Sequence, residues 1–200
     1  MNTNDFENEY FTLTPVRALD RAGYVTPSPS IIMDSGCPPY DDEYKFIENP
    51  EMMLFCFGKG TSKSPRMIDY HYPGLVSEKL YSVLNAMNIN GLQLLPATIS
   101  GKGKEYKYWY LNIYNVYPVL DLEKSEYKWN DTLKAAYMIR KIVFNKLELE
   151  KIPLTERLVF RLAEDKSTYF FHKQIVDELM KIEPKSFTFK EVSEYGKLVF

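Results

Sequence analysis

Two cysteines in 200 residues, Cys37 and Cys56, are too few for a disulfide framework or a zinc site. No run approaches the ~20 apolar residues that cross a bilayer, so no membrane partner is expected. The N-terminal MNTNDFENEYFTLTP has neither a basic n-region nor an apolar h-region, and it does not read as a signal peptide. The expected compartment is therefore the cytoplasm. Concentrated positive charge is missing as well. Residues 1–100 carry 7 basic and 12 acidic side chains, a balance of −5, and residues 101–200 carry 18 and 15, a balance of +3. Neither half has the cationic density that a phosphate backbone requires, so nucleic acid is not an expected partner.

The motifs of common chemistries are absent too. LFCFGKGTSKSP places a Gly/Lys/Ser loop after a strand, but it lacks the spacing of a phosphate-binding P-loop, and Pro65 interrupts the position where its helix would start. There is no nucleophile elbow. The acidic run Asp41-Asp42-Glu43 lacks the EF-hand spacing of a calcium site. No catalytic residue, cofactor or metal is expected, and the chain does not read as an enzyme. One alternative stays open: Asp69 and His71, in DYHYP, could pair as a base and its orienter in a small-ligand-binding or hydrolytic pocket. His172, at a helix start, reads as a cap or a surface residue.

What the chain has in abundance is aromatic surface, with 16 tyrosines and 12 phenylalanines, a mixture suited to both cores and broad interfaces. YFTLTPV (10–16) reads as a first strand and EMMLFCFG (51–58) as a buried one, with a proline-rich loop over 26–43 between them. Ser77 as N-cap and the stripe Leu80, Val83, Leu84, Met87 predict a helix, followed by Asn90-Gly91 and the strand LQLLPATI. GKGK (101–104) is a hairpin turn. RLVFRLAEDKSTYFF predicts two strands around a polar turn, HKQIVDELMKI a helix and KSFTFKEV a last strand. Residues 131–156 are ambiguous, with a strand expected from Met138 onward.

An offset of 95 residues superimposes Leu80 on Ile175, Leu84 on Leu179, Leu92 on Phe187 and Leu75-Val76 on Phe170-Phe171. Two related helix–strand units, or two generic amphipathic ones, both give this pattern. Either way the class is α+β, a largely antiparallel sheet with a few packed helices. Residues 1–65 form a loop-rich N-terminal part with one or two strands packed on the rest, and 66–200 an α+β core, together a single compact unit.

KYWYLNIYNVYPVLD (107–121) is either a buried strand or an aromatic platform. Alternation puts Trp109, Leu111 and Ile113 on a core face and Tyr108, Tyr110, Asn112 and Tyr114 on a polar-tipped face. The two partner-binding candidates are therefore Tyr108 with Tyr110, and the acidic loop Tyr40, Asp41, Asp42, Glu43, Tyr44.

The succession PGLVSEKLYSVLNAMNINGLQLLPATI, YWYLNIYNVYPVLDLEKS and RLVFRLAEDKSTYFFHKQIVDELMKIEPKSFTFKEV resembles the immunity-protein family numbered eleven among bacterial polymorphic toxin systems. The likeness covers about 66–195, with Ser186 standing where that pattern has glycine. The resemblance implies a cytoplasmic protein encoded beside a toxin, which it neutralises by stoichiometric protein–protein binding without turnover. Extended strands without obvious edge protection also allow a homodimer.

Overall fold

A computed structural model describes residues 6–15, 28–29, 44–50, 52–56, 70–71, 74–101, 103–182 and 187–196. The strands are β1 (Tyr10–Pro15), β2 (Ser28–Pro29), β3 (Met53–Cys56), β4 (Tyr70–His71), β5 (Leu75–Val76), β6 (Leu92–Gly101), β7 (Lys104–Ile113) and β8 (Val116–Tyr117). They continue with β9 (Glu126–Asn130), β10 (Ala135–Lys141), β11 (Val159–Leu162), β12 (Tyr169–His172) and β13 (Phe187–Glu191). Helices α1 (Glu78–Met87), α2 (Lys146–Glu150) and α3 (Lys173–Met180) complete the described elements, apart from short 3-10 turns. The fold is α+β.

One sheet has the order β13-β1-β12-β11-β8, a second β2-β3-β6-β7-β5-β4, and β9 and β10 form a separate ribbon. Most pairings are antiparallel; β3–β6 and β11–β8 are parallel. The longest is the β6–β7 hairpin, which closes at Gly101 and Lys104, on the predicted GKGK turn.

Both sheets turn one face toward a shared core. Apolar positions at helical spacing on α1 (Leu80, Leu84) and α3 (Ile175, Leu179) pack with Val76, Trp109, Leu111, Ile113, Val159 and Phe171. The opposite face of the five-stranded sheet packs Tyr10, Phe160, Leu162 and Phe170 against Phe6, Leu120, Phe144 and Leu149. The opposite face of the six-stranded sheet holds Met53, Phe55, Leu75, Leu95, Ile99, Tyr108 and Tyr110. Alternation along the strands explains this division. Val76 and Phe171 point to the shared core, while their neighbours Leu75 and Phe170 point to the two outer cores.

The 95-residue echo has a structural counterpart. β5-α1-β6 and β12-α3-β13 are each a strand, a helix and a second strand, and in each an antiparallel strand lies between the two. In the first unit β7 is central, with Leu75 opposite Tyr110, Val76 opposite Trp109 and Leu94 opposite Leu111. In the second β1 is central, with Phe170 opposite Thr12, Phe171 opposite Phe11 and Phe189 opposite Leu13. Trp109 thus corresponds to Phe11, Tyr110 to Thr12 and Leu111 to Leu13, in a single register on both edges. The central strand follows its unit in one case and precedes it in the other.

Two expectations are revised. The strand expected from Met138 begins earlier, at Ala135, and the chain leaves it at Lys141 to enter α2. Met138 itself sits in a bulge at φ +50, between the registered pairs Tyr137–Lys128 and Lys141–Glu126. Ser77 has the extended backbone of an N-cap, but its side chain makes no capping bond.

Candidate partner-binding surface

The two faces of β7 are both buried from Tyr108 to Ile113. Tyr108 and Tyr110 are 3% and 1% exposed. The Tyr110 ring stacks on Phe55 with centroids 6.5 Å apart, and both tyrosines pack among Met53, Leu75, Leu95 and Ile99. This corrects the expectation that they reach a partner. Alternation alone separates the faces of a strand, but it does not say whether the second face meets water or a further layer.

Beyond Tyr110 the same face holds the protein's own backbone. Asn112, 2% exposed, donates through Nδ2 to the Lys45 carbonyl at 2.9 Å and to Gln93 Oε1 at 3.1 Å. Gln93 then pairs with Ile47 as a strand would, accepting from its N–H at 3.0 Å and donating to its carbonyl at 2.7 Å. Phe46 meets Tyr114 edge-on, with centroids 5.8 Å apart. The aromatic platform has an occupant, and it is residues 45–47.

Tyr44 leads into that segment. Its ring faces the Arg161 guanidinium at 4.8 Å and Lys166 Nζ at 4.7 Å. Arg161 is buried at the end of β11. It donates through Nε to the Ile113 carbonyl at 3.0 Å and through Nη1 to the Lys166 carbonyl at 2.7 Å, and it lies 4.5 Å from the Tyr169 ring. The planar cation is thus held between two tyrosines. Of the acidic-loop candidates, Tyr44 is placed here; Tyr40, Asp41, Asp42 and Glu43 lie outside the described residues.

The alternative pocket cannot be assembled from what is described, because Asp69 and the His71 side chain lie outside it. His172 is the α3 N-cap. Its Nδ1 accepts from the Gln174 N–H at 3.3 Å, its Nε2 lies 3.8 Å from Glu9, and its ring meets Tyr10 edge-on. Burial pushes its pKa down, partly countered by Glu9. Tyr10 beside it is pushed up to about 12, by burial, and is hydrogen-bonded to Arg157 at 2.7 Å. These contacts fasten β1 to the start of α3. Among the described residues no three His, Cys, Asp or Glu side chains converge as a metal site, and no helix is long and apolar enough to cross a membrane.

A surface that sequence reasoning missed is the β9–β10 ribbon. It carries exposed Leu133 in its turn and exposed Tyr137 and Met138 on β10. The run WNDTLKAAYM held the signal, a polar turn between two aromatic positions, but helical spacing across the same residues masked it.

The family model described as Immunity protein family (Imm11) matches residues 1–194. The chain belongs to the Imm11 immunity protein family. A search of curated proteins returns no significant match. Imm11 membership supports a toxin-immunity role and a non-enzymatic one. The match reaches well upstream of residue 66, where resemblance read from the sequence alone faded, and β1 and β3 show why. Each is integral to a sheet of this Imm11 chain, β1 between β12 and β13 and β3 beside β6.

Proposed function

We propose that this chain neutralises one cognate toxin domain, encoded nearby, by direct stoichiometric protein–protein binding in the cytoplasm. The observation that carries this reading is the Imm11 match over 194 of the 200 residues. Tyr40, Asp41, Asp42, Glu43 and Tyr44 form part of the interface. The described end of that loop supports the choice: Tyr44 is clamped by Arg161 and Lys166, and the next three residues are bonded down by Asn112 and Gln93. An anchored loop gives up less conformational entropy on binding than a free one. A specific, stable complex of this kind buries about 1,200–2,000 Å² in total.

The test is co-expression of this chain with the toxin domain of the adjacent reading frame, followed by size-exclusion chromatography of the mixed proteins. Restored growth and a stoichiometric complex are expected. Growth restored without any complex would replace binding by another mode of protection. Absence of protection would remove the reading.

A further inference from the structure

The β9–β10 ribbon belongs to neither large sheet. Its inner face is rooted, since Ala136 is buried with Ile142 and Phe144 and its N–H donates to the Glu164 carbonyl at 2.7 Å. The outer side is different. Leu133 is 73% exposed, Met138 65% and Tyr137 46%. Consecutive exposure of Tyr137 and Met138 breaks strand alternation. The bulge causes it: β10 spends two more residues than β9 between the pairs Tyr137–Lys128 and Lys141–Glu126. Met138 lies in the left-handed region at φ +50, a conformation that costs a non-glycine residue roughly 1–2 kcal/mol. Strain that holds an apolar side chain in water does not serve the core.

The charge around these side chains has one sign in excess. Lys128, Lys134, Arg140 and Lys141 are exposed, and none has an ion-pair partner among the described residues. Only Glu126 and Asp131 oppose them on residues 126–141. Elsewhere the exposed Lys124, Lys151, Lys173 and Lys181 each have a carboxylate three or four residues away on the chain. β9 pairs only with β10, which leaves its outward edge available among the described strands.

We propose that the outer face and free edge of the β9–β10 ribbon dock a toxin segment that presents apolar side chains flanked by carboxylates. This rests on the immunity reading above and gives the partner a second contact, opposite in sign to the acidic loop. The apolar side chains supply the buried anchor and the unpaired cations select an acidic rim and speed association. An extended segment adds to β9 by backbone hydrogen bonds.

The experiment measures affinity of the full chain for the purified adjacent toxin domain at 50 and 300 mM salt, by calorimetry. Two variants are compared with wild type: Lys134→Glu/Arg140→Glu, and Tyr137→Ser/Met138→Gly. The charge reversal should weaken binding about tenfold or more at low salt and flatten its salt dependence. The apolar variant should weaken binding about tenfold or more at both salts, with the melting temperature unchanged or raised by relief at position 138. Wild-type binding with both variants equally tight overturns the ribbon proposal and leaves the immunity reading in place. Failure of the wild type to bind removes both. Sedimentation velocity provides the remaining outcome: if the variants abolish self-association but spare toxin binding, the face joins two copies of this chain and the proposal falls.

Discussion

Asn112 donates to Gln93 at 3.1 Å across the β6–β7 hairpin, and the two side chains grip the backbone of Lys45 and Ile47 between them. This is backbone pairing done by amide side chains, on a strand face otherwise filled with aromatics. Replacing Asn112 by alanine takes its side-chain donor from the Lys45 carbonyl and removes one of two donors to Gln93. The expected loss is about 1–3 kcal/mol of stability in urea unfolding. Hydrogen exchange should localise it, with the Ile47 amide losing protection before the centres of β6 and β7.

Gly91 adopts φ +82, and a Cβ there would lie 2.0 Å from Asn115 Nδ2 and 2.8 Å from Asn115 Cβ. Asn115 cannot easily yield, because its Nδ2 donates to the Glu156 carbonyl at 2.6 Å. Gly91→Ala therefore combines backbone strain with a steric conflict at the junction of the hairpin and the residues before β11. We expect a loss of roughly 3 kcal/mol or more, read as a fall in melting temperature. Gly103→Ala is the control: it also lies at positive φ, but its Cβ would meet nothing within 4 Å, so it should cost about 1 kcal/mol.

Much of this architecture was legible from periodicity. The helices at 78–87 and 173–180, the hairpin turn at 101–104 and the two strands around residues 163–168 all follow from apolar spacing and turn residues. The echo between Leu75–Leu94 and Phe170–Phe189 was visible too, but the central strands were not part of it. β1 and β7 stand on opposite sides of their units in the chain, so no single offset aligns them. Burial of Tyr108 and Tyr110 was invisible for a related reason. It depends on β3 and on residues 45–47, which reach that face from more than 50 residues upstream. The ribbon was hidden by its bulge, since two extra residues at Met138 destroy the two-residue period that identifies a strand.

His172 links stability to pH. Burial lowers its folded pKa below the ordinary 6.5, so the unfolded chain takes up the proton first as pH falls. Its contribution is present above about 6.5 and is lost as pH drops through that value toward the folded pKa. The cap bond has the same sign, because Nδ1 can accept from Gln174 only while unprotonated. Urea midpoints should fall between pH 7.5 and 5.5. His172→Asn, which keeps a capping acceptor without a titrating group, should flatten that part of the profile.

Glu164 has the opposite sense. Its Oε2 is buried without a hydrogen-bond partner among the described residues, and burial raises its pKa above the usual carboxylate range. Holding the ionised form in that position is a cost of folding at neutral pH that is relieved as pH falls toward the raised value. Glu164→Gln should raise stability at pH 7 by about 1 kcal/mol, with the gain shrinking on acidification. Equal stability of the two proteins at pH 7 would mean that the carboxylate is adequately solvated.

Arg161 joins the fold to the candidate interface. It bonds the Ile113 and Lys166 carbonyls and presents its guanidinium to both Tyr44 and Tyr169, which a lysine cannot reproduce because it lacks the planar fork. Arg161→Lys keeps the charge and should still cost about 2–4 kcal/mol, since a buried cation loses defined partners. Lys166→Ala removes only the exposed cation beside Tyr44 and should cost less than about 1 kcal/mol. If the clamp on Tyr44 serves to hold the acidic loop ready, Arg161→Lys should also raise the exchange rate of the Lys45 and Phe46 amides and speed dissociation of the toxin. Tyr44→Leu leaves the bonds from Arg161 to the carbonyls and its contact with Tyr169 intact and removes only the cation–π contacts of Tyr44 itself. Faster toxin release in Tyr44→Leu at nearly wild-type stability would assign Tyr44 to binding, and equally fast release in Arg161→Lys would assign the clamp to it as well, whereas unchanged release in both would confine Arg161 to the core.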